Sequence, residues 1–461
     1  MTTTSPSALP TASPSLPLRL AALARIDFSN TPARIASARN ICIGLCFAFF
    51  SFFIAYHSYL THAFQTIGIN SAPSIVLAEQ IRHQLALADS LFSLASSAQG
   101  AERQAHARKG LEALDRARDQ IVAAGANVTY GEEELAPLRK LGRALGAYDQ
   151  AIAAAAARNF DFELVRPASI IMREAALPAA TALDEANSDH LEKAFSSHGA
   201  NALVSGLPAM FLCAALLIAL LWAQLDLYRR TNRTLNAGYL AATAGALAFS
   251  IVCAFSMIAA EGSLKIAKRD AFDSVHALWL AKSVAEQARS ERALMLLTSG
   301  RPSDFAVPEA AWTLLSGKIS PLDAKGLRLA VSDSRKFGGF LGTAFANITF
   351  DGERAELVAA SKAWATFIDL LPPSLAAAAR SSKLAPGSPA ANDLLGSSLA
   401  FDDFSLHIDR AIQINQSVFD QEVNKAMSRL RILPWLAALL LALVCAGAFF
   451  GSKPRLDEYR F

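Results

Sequence analysis

Two hydrophobic patterns alternate along this chain. In the first, apolar residues run on without relief: the windows 40–78, 194–225, 234–260 and 432–452 contain no Asp, Glu, Lys or Arg. Each holds an apolar run of roughly the 17–25 residues that a membrane-spanning helix needs. The runs predict spans at 41–62, 206–223, 239–260 and 433–450. In the second pattern, covering 63–205 and 261–432, Ala and Leu are interrupted regularly by polar residues, as amphipathic helices require. The chain therefore reads as leader (1–40), span, large loop, span, short connection (224–238), then span, large loop and span again, ending in a tail (451–461).

The first loop divides into four helix candidates. "SAPSIVLAEQIRHQLALADSLFSLASSA" has Pro73 in its first turn, where a missing N–H costs nothing. "AERQAHARKGLEALDRARDQIVAAGA" ends at a Gly/Asn stop. "EEELAPLRKLGRALGAYDQAIAAAAARN" starts with acids, as the helix dipole favours. A fourth segment, from "ELVRPASIIM" to "SSHGA", runs toward the second span. Four long helices with short connections predict an antiparallel bundle. The second loop opens with "DAFDSVHALWLAKSVAEQARSERALMLL", where Ala271, Val275, Leu278, Ala281, Ala285 and Ala288 share one face. Lys282, Glu286 and Arg289 lie on another face, at ion-pair spacing. The loop closes with "FDDFSLHIDRAIQINQSVFDQEVNKAMSRLRI". Between them, the Gly/Pro-richer stretch with "KFGGFLGTAFANITFDGE" leaves strands or irregular turns open. The expected fold is all-α: four transmembrane helices and two extracytoplasmic helical-bundle domains of the four-helix-bundle sensor type, the second less regular. The doubled plan rests on architecture, because sequence identity between the loops is weak.

Composition agrees with a membrane protein: 53% of residues are hydrophobic and 18% charged, below the roughly 25% usual in soluble domains. The leader, "MTTTSPSALPTASPSLPLRL", has the composition of a disordered tail. An apolar run that starts some 40 residues in is not a secretory signal. Lys and Arg near span ends set orientation. Arg19, Arg25, Arg34 and Arg39 in the leader, Arg229, Arg230 and Arg233 in the connection, and Lys453, Arg455 and Arg460 in the tail fall on one side of a four-span chain. That side is expected to be cytoplasmic, with both termini there and both loops outside a bacterial plasma membrane. The flanks of the second loop, with Lys265, Lys268, Arg269, Lys425, Arg429 and Arg431, run against this. The five cysteines all fall in the spans, so neither loop is a disulfide or Cys-metal scaffold.

Catalytic chemistry is not legible. There is no GxxxxGK[ST], no HExxH and no clustered His/Cys/Asp set. No catalytic, cofactor-binding or metal residue is assigned, no cofactor is expected and the chain is expected not to be an enzyme. "GGFLG" at 338–342 lacks the strand-turn-helix context of a phosphate cradle. His276 and Trp279 read as a surface imidazole beside a packed aromatic, with pocket lining as the alternative. "YGEEELAP" and Asp402–Asp403 read as solvated acids. A transport path would put ionisable residues inside the spans, and these hold only His57 and His62, near the outer end of the first.

Several stretches, taken together, resemble a largely uncharacterised family of bacterial four-span membrane proteins: "DAFDSVHALWLAKSVAEQARSE", "IDRAIQINQSVFDQEVNKAMSRL", "ALGAYDQAIAAAAARN" followed by "PASIIMREAALPAATAL", "SAPSIVLAEQIRHQLALAD" and "PRLDEYR". That family includes the membrane component of an actinobacterial amino-acid sensing system. There, a glutamate/aspartate- or glutamine-binding lipoprotein outside signals through the four-span protein to a cytoplasmic Ser/Thr protein kinase. The resemblance implies a non-enzymatic transmembrane signal transducer with those two kinds of partner. The loops show no convergent charges that would clamp a free amino acid, so they are expected to recognise a protein. A chemoreceptor-like sensor that detects a small molecule directly, an envelope scaffold and an accessory transporter subunit are the alternatives. Besides the bilayer, a homo-oligomer is left open and no nucleic acid is expected.

A tail of this length cannot fold into an output domain, so any signal must leave by docking. Pro454, Arg455, Leu456, Glu458, Tyr459 and Arg460 are the candidate docking residues: Leu456 and Tyr459, three apart, would share a helical face, and Arg455 and Arg460 would pair with acids. A plain positive-inside anchor is the competing reading.

Overall fold

The computed structural model describes residues 27–231, 236–298, 302–380 and 389–459. Among them there is no strand, and the fold is all-α as the periodicity predicts. They form two compact units.

The first unit combines residues 1–62, 198–260 and 427–461. Its helices are α1 (Thr31–Gln65), the second half of α6 (Leu177–Thr231), α7 (Ala237–Lys265) and the end of α14 (Pro389–Asp457). All four carry stretches long and apolar enough to cross a membrane. The large apolar side chains left uncovered concentrate here, with Phe211, Phe255 and Trp435 each more than 70% exposed. Water would penalise that surface and lipid would not. Small residues let α7 and α14 approach closely: a Cβ on Gly238 would sit 2.5 Å from the Gly447 carbonyl oxygen. At the same end, Asn236 donates from Nδ2 to the Gly451 carbonyl at 2.6 Å and Arg34 pairs with Asp226 at 3.3 Å. The leader's first 26 residues, and with them Arg19 and Arg25, lie outside the described part, as does Arg233 in the connection.

The second unit combines Ala63–Ser197 with Glu261–Ala426. The two loops are separate bundles in their cores but not in their packing. The first contributes α2 (Ala72–Ser97), α3 (Gly100–Ala126), α4 (Glu132–Ala156), α5 (Phe162–Ile171) and the start of α6. Its core holds Ile81, Leu85, Phe92, Leu141, Tyr148 and Met172. The second contributes α8 (Asp273–Thr298), α9 (Pro302–Ile319), α10 (Ala324–Ser332), α11 (Gly339–Ala346), α12 (Glu353–Asp369), α13 (Leu371–Arg380) and the start of α14. Its core is more aromatic, around Trp312, Trp364, Phe367, Phe401 and Phe404. Helices α2 and α8 pack on one another and join the two bundles into one unit. The Gly/Pro-rich stretch holds the short helices α10 and α11, not strands. Asp323 caps α10, accepting from the Gly326 N–H at 2.7 Å. "GGFLG" is a tight helix entry: Gly339 has φ +79° and a Cβ there would lie 2.5 Å from the Ile319 carbonyl oxygen.

The repeat extends to individual bonds. A π-helical turn, Thr66–Ser71, leads into α2, and another, Ile266–Phe272, leads into α8. Ser74 lies one turn into α2 and Ser274 begins α8, and each bonds the asparagine of a recurring turn: Asn127 Nδ2 to Ser74 Oγ at 3.0 Å, Asn347 Nδ2 to Ser274 Oγ at 2.9 Å. The turns read "NVTYGEEE" and "NITFDGER". In each, a glycine with positive φ (Gly131, Gly352) turns the chain, and a buried glutamate accepts from the threonine N–H, Glu134 at 2.6 Å and Glu353 at 3.1 Å. The acids of "YGEEELAP" are structural: Glu132 pairs with Arg139, Glu133 with His190, and Glu134 closes the turn.

Candidate functional site

The described tail residues continue α14 through Asp457. Arg455 is paired within the tail to Glu458 at 2.7 Å, Leu456 is half-buried, and Pro454 and Tyr459 are exposed. Tyr459 lies two residues past the end of this helix, in a turn, with its N–H bonded to the Leu456 carbonyl at 3.3 Å. Arg460 lies outside the described residues.

The densest buried chemistry lies where α2 meets α8. Glu79 and Arg82 sit one turn apart on α2, bonded at 2.6 Å, with the Glu79 side chain fully buried. His276 on α8 faces them, its Nε2 3.3 Å from Asp184 on α6 and 3.5 Å from Glu79. Burial pushes the Glu79 carboxyl up to about 7 against the pull of Arg82. Burial opposes the charged form of His276, but the hydrogen bonds and charges of Asp184 and Glu79 outweigh it and raise the imidazole to about 9. Asp184 is also desolvated, yet its bond with His276 holds its pKa below the ordinary value. Glu79, Asp184 and His276 converge closely enough to hold a metal ion. The Arg82 guanidinium already supplies the positive partner of Glu79 and would repel a dication, so the donor set suits a charge-balanced ion cluster better. His276 is thus not the surface imidazole expected from sequence.

Further along the seam, Asp89 of α2 is buried and accepts from Ser169 (2.8 Å), Ser290 (2.9 Å) and Tyr148 (3.3 Å). Burial raises its pKa against those bonds. Ser290 of α8 also meets Ser93 of α2, at 2.9 Å. Beside it Glu291 pairs with Arg173 at 2.6 Å, and burial raises Glu291 to about 7. This face of two core helices is lined by carboxylates, serines and arginines, which directional bonds must satisfy.

Next to the seam lies a polar cleft of about 400 Å³. Helix α2 contributes His83. Helix α3 contributes His106, Lys109, Glu112 and Arg116, α8 contributes Lys282, Glu286 and Arg289, and α14 contributes Ser398, Phe401, Asp402 and Ser405. Trp279 stands at its edge, 5.7 Å from the His83 ring and 5.3 Å from the Lys282 ammonium. Arg289 lies 4.5 Å over Phe401. Asp402 lines this cleft and, like Asp403, is exposed. The loops therefore do bring convergent charges together, contrary to expectation. One wall was visible as the Lys282/Glu286/Arg289 face. The opposite wall, His106, Lys109, Glu112 and Arg116, repeats at helical spacing in "HARKGLEALDR", but such a stripe on one helix looks like any solvated face. Glu79, Arg82, Asp89 and Asp184 carried no readable signal, because their partners lie far along the chain, 59 to 201 residues away for Asp89 and 92 for Asp184, or, for Arg82, because its importance depends on them.

No curated protein and no solved structure matches the chain. Residues 63–196, nearly all of the first-loop share of the second unit, are similar to the family described as an actinobacterial sensor domain.

Proposed function

We propose that this protein is a non-enzymatic transmembrane signal transducer of a bacterial plasma membrane, with the four-helix unit in the bilayer, the polar unit outside and both termini inside. One observation carries the reading. The two helices that build the polar seam, α2 and α8, are each continuous through a π-helical turn with a helix apolar enough to span a membrane, α1 and α7 respectively. A π-turn is a recurrent feature of functional helices because it lets register adjust without breaking the helix. A stimulus outside that shifts α2 against α8 has a continuous helical path inward, and a bias of about 1–3 kcal/mol between two packings suffices for regulation. The sensor-domain likeness of residues 63–196 supports the same role. Inside, the signal leaves by docking of the tail to a cytoplasmic protein; a Ser/Thr kinase is the partner that the family resemblance implies, with a solute-binding lipoprotein as the outer one.

The test locks the seam. In a background with the five native cysteines replaced by alanine, Ser93→Cys and Ser290→Cys place two thiols where the hydroxyls stand 2.9 Å apart. A third cysteine, Tyr459→Cys, reports on the tail by its maleimide labelling rate in membranes. Oxidising the seam pair is expected to change that rate several-fold. An identical rate with the pair oxidised and reduced overturns the transducer reading.

A further inference from the structure

We infer that the cleft between α2, α3, α8 and α14 binds a small carboxylate that carries a hydroxyl or amino group beside its charge. Three observations converge. First, the volume, about 400 Å³, lies in the range of small-molecule sites and not of surface dimples. Second, only part of the charge is paired within the protein. Lys282 is bonded to Asp409 and Arg289 is 3.8 Å from Glu286. Lys109 and Arg116 line the same cleft from one face of α3 with Glu112 between them, a wall of net positive charge that can hold a carboxylate. Third, two buried polar atoms of the lining have no hydrogen-bond partner: His83 Nδ1 and Glu286 Oε2, in side chains only 4% and 3% exposed. A native core leaves few such atoms, and each of these belongs to a residue lining the cleft. Glu286 Oε2 has the Arg289 guanidinium at 3.8 Å, beyond hydrogen-bond reach, and when ionised it accepts, so it calls for a donor on the ligand. Burial, with the charges of Lys282 and Arg116, holds the His83 imidazole well below its usual range, so it stays neutral. The cleft thus offers an anion clamp at the α3 wall and an unfilled acceptor at the α8 wall. A dicarboxylate without a donor would satisfy only the first.

The site also has leverage. Its walls include both seam helices, so a ligand that draws α3 and α14 toward α2 and α8 acts on the helices that continue into the spans. In that sense the inference rests on the transducer reading for its consequence. Binding, however, is read on purified full-length protein in detergent, without any signalling, so the two can fail separately.

The probes are L-malate and L-glutamate, which pair carboxylates with a hydroxyl or an ammonium, and succinate, which lacks the donor. Titration calorimetry up to about 10 mM reaches even weak sites. Saturable binding of malate or glutamate is expected, with succinate weaker by about tenfold or more. Lys109→Ala with Arg116→Ala should abolish binding of all three. Both positions are exposed on α3, and alanine favours the helix, so the unliganded melting temperature serves as the folding control. Glu286→Gln should erase the preference for malate and glutamate over succinate. No saturation by malate or glutamate, succinate binding as tightly as either, or undiminished binding in the double variant overturns the assignment.

Discussion

At the scale of single residues, His276 carries the clearest consequence. Its folded pKa of about 9 stands above its ordinary 6.5, so folding favours the imidazolium. The stabilisation is full below about pH 6.5 and is lost as pH rises toward 9. At about 1.4 kcal/mol per pKa unit the contribution is on the order of 3 kcal/mol. Glu79, raised from 4.5 to about 7, acts in the same direction: its ionisation between those values also costs stability. The groups facing the imidazole are Glu79 and Arg82 from α2 and Asp184 from α6. His276→Gln is expected to lower the melting temperature strongly at pH 6 and little at pH 9.5. An equal loss at both values would show that the imidazolium is not what the cluster stabilises.

At the scale of elements, two packing devices make separate predictions. Gly238 lets α7 lie against α14, and any Cβ there meets backbone, which cannot move aside. Gly238→Val should therefore cost about 2–3 kcal/mol, as overpacking does, seen as lower recovery of folded protein from membranes. Gly262→Val, where a Cβ meets nothing within 4 Å, is the control and should be tolerated far better. The repeated turns predict symmetry. Asn127 and Asn347 tie equivalent turns to the start of α2 and α8, but Asn347 also donates to the Arg269 and Asp270 carbonyls, at 2.8 and 2.9 Å. Asn127→Ala should cost about 1 kcal/mol, the net worth of a typical hydrogen bond. Asn347→Ala should cost more, because it leaves carbonyls at the π-turn without that donor. Thermal melts of the two variants check the order, and the reverse order would refute the bond assignment.

At the scale of the whole molecule, the proposed orientation and output are measurable. Reporter fusions at Asn127 and Asn347 should read as extracytoplasmic and at Arg230 as cytoplasmic; a cytoplasmic reading at Asn347 would end the four-span topology. For the tail, Arg455→Ala together with Tyr459→Ala is expected to leave membrane level and topology normal while capture of a cytoplasmic kinase is lost. Arg455 is partly committed to Glu458, so Tyr459 carries more of the predicted effect. Kinase recovery at the native level would make the tail an anchor only. Purified protein is expected to show no nucleotide hydrolysis above a matched membrane control, and turnover abolished by a point substitution would refute the non-enzymatic reading.

The sequence by itself determined the all-α class, the four apolar spans, the four helix segments of the first loop and the doubled plan, because each is a local property: hydropathy over some twenty residues or periodicity over three or four. The repeated Asn-x-Thr-aromatic turn was equally local and legible in "NVTYGEEE" and "NITFDGER", although overall identity between the loops hides it. Only the tertiary structure decided that the two bundles share one unit, and that Glu79, Asp184 and His276 form a cluster across 92 to 197 residues of chain. Only it decided, too, that His106, Lys109 and Arg116 face Lys282 and Arg289 across a cleft. A charged residue on a helix face has the same local pattern whether it meets solvent or a partner. Which of the two it meets depends on how distant segments pack, and burial then turns an ordinary side chain into a shifted, partnered or unsatisfied one.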